Sequence, residues 1–459
     1  MPRSSDRFNL ATLLVVVFVM TCSVASADGW RAGVAKSVIT PKQSMWMSGY
    51  ASRNRPADGK IHDLWTKVLV LETADRDRAV LVTLDLIGIG KELSGEICES
   101  LLREHAIQRH QVALATSHTH SGPVVGRNLR AMYFLDESYQ KQVEAYTQEL
   151  IQAVVRTVGQ AIANLEAVTV KQGTGQTDIA VNRRNNPSAL VPGLRAEGKL
   201  KGPVDHDVPV LTVTNADGQR KAIVFGYACH ATLLNFYQWS GDWPGAAQLQ
   251  IEKNNPGCIA LFWAGCGADQ NPLPRRKIEL LAKYGKQMAT AVQAVVDGTE
   301  MKPVNAELST KYREINLAFA TLPTRSKLEE DTNSGNRYIA SRARLLLRQW
   351  DEQGGLNQTY PYPIQVWRIG DVRFILLGGE VVVDYALRLK RELQGKQTWV
   401  AGYTNDVMAY IPSLRVLKEG GYEGASSMIY YGQPTVWADD VEERLVKAVH
   451  SMVREVTSN

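Results

Sequence analysis

The sequence predicts an α/β protein: a layered domain of mixed β-sheets covered by helices. Three observations carry this. Short apolar runs have the look of strands, they alternate with longer segments of helical periodicity, and several are joined pairwise by tight polar turns. Residues 67–72 and 79–84 flank the polar Asp75-Arg76-Asp77 turn and form a hairpin pattern. Residues 111–116 make another short apolar strand, which ends in a histidine-rich loop. Residues 139–165 repeat apolar side chains at helical spacing. Residues 208–213 and 221–227 bracket Asn215-Ala216-Asp217-Gly218, a strong hairpin signal. Residues 258–263 form a buried-type strand, and a helix follows from about Lys277 to Val296. Residues 366–377 turn back at Ile369-Gly370-Asp371, and 438–456 make a closing helix. Hairpins bring antiparallel pairs and strand–helix alternation brings parallel ones, hence mixed sheets.

The chain of 459 residues is 44% hydrophobic and 22% charged, an ordered globular composition. Its net charge of +5 is spread without basic runs, which excludes a phosphate-tracking nucleic-acid surface. Arg3 and Arg7 precede the apolar run 10–20, and Ala25-Ser26-Ala27 supplies a small-x-small cleavage site. Residues 1–27 are therefore expected to be a signal peptide, which makes the protein secreted or periplasmic. The run is shorter than the roughly 20 residues a span requires. Val19-Met20-Thr21 before Cys22 is a poor lipidation signal. Residues 28–459 show no linker, repeat or second apolar stretch, and are expected to form one catalytic domain without a transmembrane segment. Its cysteines, Cys98, Cys229, Cys258 and Cys266, allow one or two disulfides whose pairing sequence cannot assign.

Polar clusters recur where strands end, at Ser117–Pro123, Cys229-His230, Gly265–Pro272 and Gly378-Gly379-Glu380. His118 and His120 are two apart, so in extended backbone both imidazoles project to one side and can approach a metal. The alternative is a pair of loop histidines bonded to backbone. Ser121-Gly122 stands where a metallo-β-lactamase-type site would have Asp. His230 follows an apolar strand and is either a ligand or a strand-end histidine. Glu380 is a ligand, a base, or a cap for a helix beginning at Val381. Asp242 suits an N-cap, with Pro244 in the first turn. Cys266 is a nucleophile, a disulfide partner or a packed residue.

Several segments together resemble the neutral (non-lysosomal) ceramidase family, collinearly over most of residues 28–459. Gly33–Thr40 is similar to its G-x-x-x-x-D-I-T segment, with Ser37 in place of Asp; Met47-Ser48-Gly49-Tyr50 to M-x-G-Y; and Gly59–His62 to G-I-H. Thr116–Pro123 is close to T-H-T-H-S-G-P, the most specific piece. Asn182-Arg183, Val204–Asp207, Ser240-Gly241-Asp242, Gly379-Glu380 and Tyr422–Ser426 match further motifs. The resemblance implies that His118, His230, Glu380 and Tyr410 hold one Zn²⁺ per chain. It implies that His120 and Tyr422 stand behind them, placed to donate to a developing oxyanion, and that the reaction is hydrolysis of a small-molecule or lipid amide. Two departures stand out. Gln270 occupies the place of the family's nucleophilic serine, and the sequence ends soon after Tyr422, where a C-terminal immunoglobulin-like domain would follow. Without the serine, water becomes the expected nucleophile, with Asp269 or His120 handling its proton. The alternatives are an ester or sugar-derivative linkage, a catalytically inactive lipid- or glycan-binding homologue, and Cys266 as substitute nucleophile.

Overall fold

The structure, a computed structural model, describes residues 29–393 and 397–457. Residues 1–27, where a signal peptide is expected, lie outside them. Eight strands form one large sheet: β1 (Trp30–Val38), β2 (Trp65–Glu72), β3 (Arg78–Leu84), β4 (Val112–Thr116), β5 (Glu166–Gln176), β6 (Asp207–Asn215), β7 (Arg220–Tyr227) and β8 (Ile259–Ala264). Their order is β8-β7-β6-β5-β1-β2-β3-β4, and the short strand Lys302–Pro303 adds to β5. The outermost pairs, β8/β7 and β3/β4, are parallel and the inner pairs antiparallel. A second sheet has the order β9 (Leu308–Ala318), β10 (Thr359–Ile369), β11 (Val372–Leu377) and β12 (Thr398–Ala401), with only β11/β12 parallel. Both sheets are mixed, as the sequence predicts.

The side-chain alternation of strands sets the layers. Val68, Val70, Val80, Val82 and Leu114 point to one face of the large sheet. There they pack on α1 (Lys91–His105) and α2 (Glu137–Ala163) through Ile97, Leu101, Leu150 and Val154. The Asp136 carboxylate caps α2 by accepting from the Tyr139 N–H. Further along the same sheet, Val210, Phe225 and Phe262 pack on α3 (Asp242–Asn254) and α4 (Glu279–Asp297) through Trp243, Ile251 and Met288. The intervening residues Leu69, Leu71, Leu81, Val224 and Trp263 face the second sheet, meeting Trp367, Phe374 and Trp399. That sheet's outer face is covered by α5 (Val383–Glu392) and α6 (Val441–Thr457), with Ile375 and Leu377 against Leu389, Val449 and Met452. The result is four layers: helices, sheet, sheet, helices. Among the described residues no helix is long and apolar enough to cross a membrane.

The two sheets converge at the C-terminal ends of β4, β7, β8, β11 and β12. Thr116 N–H donates to the Tyr403 carbonyl at 3.2 Å, and Gly402 N–H to the Ala264 carbonyl at 3.0 Å. Loops leaving five strands are thereby brought to one rim of the sandwich.

Candidate metal centre

Two short backbone bridges assemble the site. Thr119 pairs in parallel with Ala231, which sets His118 and His120 beside His230. Glu380–Val381 pairs in parallel with Tyr410–Ile411, which aligns Glu380 with Tyr410. Glu380 is therefore a bridge residue and not a helix cap, because α5 begins two residues beyond Val381. His118 is not in extended backbone either. Its φ is +57°, a strained value for a residue with a Cβ, and the kink rather than strand alternation turns its ring toward His120. Tyr403 and Asp242 share this left-handed geometry at φ +54° and +56°.

His118 Nδ1 donates to the Ile87 carbonyl at 2.6 Å and His230 Nδ1 to the Gly267 carbonyl at 2.7 Å. A carbonyl only accepts, so each Nδ1 carries the proton and each Nε2 presents a lone pair. These two Nε2 atoms lie 3.2 and 3.1 Å from Glu380 Oε2. His120 Nε2 is 3.1 Å from His118 Nε2, and the Tyr410 hydroxyl is 3.3 Å from His230 Nε2. His118, His120 and His230 lie within 4.8 Å of one another by their ligand atoms. Burial, then the neighbouring histidines, hold His120 well below its ordinary value; burial, then Arg183, lower His230 to about 4. The cluster thus brings three imidazoles and a carboxylate together, with Glu380 Oε2 and His120 Nδ1 lacking any hydrogen-bond partner. Donors about 2 Å from a tetrahedral ion sit about 3.3 Å apart, the spacing seen here. The residues fit a divalent cation.

Sequence reasoning missed three neighbours. Tyr431 donates to Glu380 Oε1. The Tyr403 ring lies 4.3 Å from that of His118. Arg183, quoted only as part of a motif, reaches His230 Nε2 at 3.5 Å and the Tyr410 hydroxyl at 3.2 Å, while its Nε donates to Glu423 Oε1 at 2.7 Å. The Asn182-Arg183 motif was the available signal. Tyr422 stands at the rim, 41% exposed, its ring 5.3 Å from that of Tyr410.

The altered loop does not deliver a side chain to the cluster. Gln270 is fully buried; its Nε2 donates to the Ala228 carbonyl at 2.6 Å and its Oε1 accepts from Asp205 N–H at 3.2 Å. Asp269 accepts from Val383 N–H at 2.9 Å and from the Asn182 amide at 3.1 Å. Burial pushes it up to about 6, but its placement is that of a cap on α5. Asp242 is the first residue of α3 and not its N-cap. Its carboxylate accepts from the N–H groups of Leu233, Leu234 and Trp243 at 3.0, 2.9 and 2.8 Å. All four described cysteines are free and buried. Burial raises the Cys266 thiol, which packs among apolar side chains, surroundings that disfavour a thiolate. The Val204–Asp207 motif is structural: Lys390 of α5 donates to both Asp205 oxygens at 2.8 and 2.7 Å, and to Asp207 at 2.9 Å.

Fold and site together define a layered α/β protein with a buried imidazole–carboxylate centre suited to one divalent ion. A sequence profile described as "Neutral/alkaline non-lysosomal ceramidase, N-terminal" matches residues 30–271, more than half of the chain. A crystal structure of neutral ceramidase from Pseudomonas aeruginosa superposes with a TM-score of 0.71 at 21% identity, covering 92% of this chain and 73% of that one. A ceramidase complexed with C2 superposes with a TM-score of 0.71 at 20% identity, covering 92% and 74%. No curated protein matches. The chain belongs to the neutral/alkaline non-lysosomal ceramidase family.

Proposed function

We propose that the chain is a secreted or periplasmic zinc-dependent hydrolase that cleaves an amide bond in a small-molecule or lipid substrate. One observation carries the reading: two Nδ1-anchored imidazoles aim their Nε2 lone pairs at the oxygen of Glu380, at metal-ligand spacing. His118, His230, Glu380 and Tyr410 would hold the ion, which when bound would polarise the scissile carbonyl and lower the pKa of water.

The chain's own residues supply the rest. Arg183 donates to the Tyr410 hydroxyl and so opposes the burial that raises this phenol. His120, neutral and 3.1 Å from His118, takes the proton of the attacking water at Nε2. Asp269 is not given this task, since both its oxygens are engaged elsewhere. Tyr422 at the rim is placed to donate to the oxyanion. The nucleophile is water, because Gln270 and Cys266 are buried and inert.

His118→Ala and His230→Ala, made separately, should each lose bound zinc and turnover on a panel of amides. Full activity with zinc retained in both would end the proposal. Product analysis on matched amide, ester and glycan substrates identifies the bond. Ligand binding with no turnover on any of them would mark a binding homologue.

A further inference from the structure

Beside the metal centre an open cleft of about 610 Å³ is lined in part by Arg183, Arg184, Asn271, Arg275, Tyr422 and Glu423. Its acids are already matched. Glu423 accepts from Arg183 at 2.7 Å and Arg184 at 2.6 Å, and Glu419 accepts from Arg184 and Arg415, both at 2.9 Å. Arg275 is different. It is half-buried and has no carboxylate partner among the described residues; its one hydrogen bond runs from Nη1 to Thr232 Oγ1 at 3.1 Å. Arg276 behind it also makes no ion pair among the described residues, and the acid that acts on both guanidiniums, Asp242, is buried and held by three backbone N–H groups. Held at φ +76°, Arg276 donates to the Leu234 carbonyl and lies 4.6 Å over the Tyr50 ring.

The cleft connects to the reacting centre. Thr232 Oγ1, which accepts from Arg275, donates to Asn271 Oδ1 at 3.3 Å; Arg183 reaches the same oxygen at 3.4 Å and His230 Nε2 at 3.5 Å. Tyr422 lines the cleft and stacks edge-on against Tyr410. A neutral substrate filling this space would strip water from the Arg275 guanidinium and return hydrogen-bond acceptors without a counter-charge. A carboxylate would meet a planar donor fork of matching shape.

We propose that this cleft is a subsite for a carboxylate on the substrate, read by Arg275 with Arg276 reinforcing the field, so that the enzyme prefers amides bearing an acid near the scissile bond. The inference rests on the hydrolase reading for its orientation, but its test does not need turnover. The ketones 4-oxodecanoate and 4-oxodecanamide mimic N-heptanoylglycine and its carboxamide with the amide nitrogen replaced by carbon, so neither holds the scissile bond, and chromatography after each titration should show the terminal carboxamide intact. Calorimetric titration into the zinc-loaded full chain should show the acid binding about tenfold tighter than the carboxamide. Arg275→Gln should bring the two near parity with carboxamide affinity unchanged, Arg275→Lys should keep part of the preference, and thermal melting should confirm that both variants fold. Equal affinities in the wild type, or a preference untouched by Arg275→Gln, would overturn the subsite. Failure to hydrolyse any amide while this preference holds would count only against the hydrolase reading.

Discussion

Gly49 takes φ +99°, and a Cβ there would lie 2.7 Å from the His120 ring. That single contact explains a glycine in Met47-Ser48-Gly49-Tyr50: the loop is pressed against the imidazole that the mechanism assigns to proton transfer. Gly49→Ala should strain the backbone by about 1–3 kcal/mol and displace His120. We expect turnover to fall roughly a hundredfold while zinc remains bound, since an ångström of misplacement is that costly. Unchanged kcat in a folded Gly49→Ala protein would remove His120 from the chemistry. At this scale the sequence shows which residue types are chemical but not how they are aimed. His118 and His120 were legible as a pair, but the left-handed turn at His118 has no sequence signature. Asp269 and Asp242 carry ordinary acid signals, and only the backbone N–H groups around them reveal that both anchor chain ends. Tyr431 lies in no quoted motif and reaches Glu380 across 51 residues of sequence.

The elements divide by how much apolar surface each strand carries. The hairpin expected at 67–84 is β2/β3, that at 208–227 is β6/β7, and that at 366–377 is the turn between β10 and β11. All are buried and so marked by continuous apolar runs. β5 and β9 escaped because most of their residues are partly exposed, leaving few apolar positions to count. Arg337–Gln353 escaped as a helix because only Ala340, Ala343 and Leu346 are buried. One cross-element tie is polar. Lys67 of β2, 2% exposed, donates to Glu252 of α3 at 2.7 Å and to the Ala260 carbonyl of β8 at 2.8 Å, while Lys36 of β1 holds the other Glu252 oxygen. Glu252→Gln would leave a buried ammonium without its counter-charge. Denaturant unfolding should show a loss of about 3–5 kcal/mol, and a loss under 1 kcal/mol would mean that the pair is not energetically coupled to the fold.

Across the whole molecule the sheets merge at one rim, and the site exists only because they do. His118 and His230 leave the large sheet, Glu380 leaves the second, and Tyr410 follows β12. Sequence gaps of 112 and 30 residues between these side chains carry no spacing signal, so the set was legible through family resemblance alone. The fold class followed from local pattern; the stacking of two sheets did not, since both faces of buried strands are apolar. The account stands on one cation at the meeting point of these loops. Crystals of the zinc-loaded protein measured on both sides of the zinc absorption edge test it most directly. A single anomalous peak should lie about 2.0–2.2 Å from His118 Nε2, His230 Nε2 and a Glu380 oxygen. A stoichiometric zinc peak elsewhere in the molecule, or none at this rim, would contradict it.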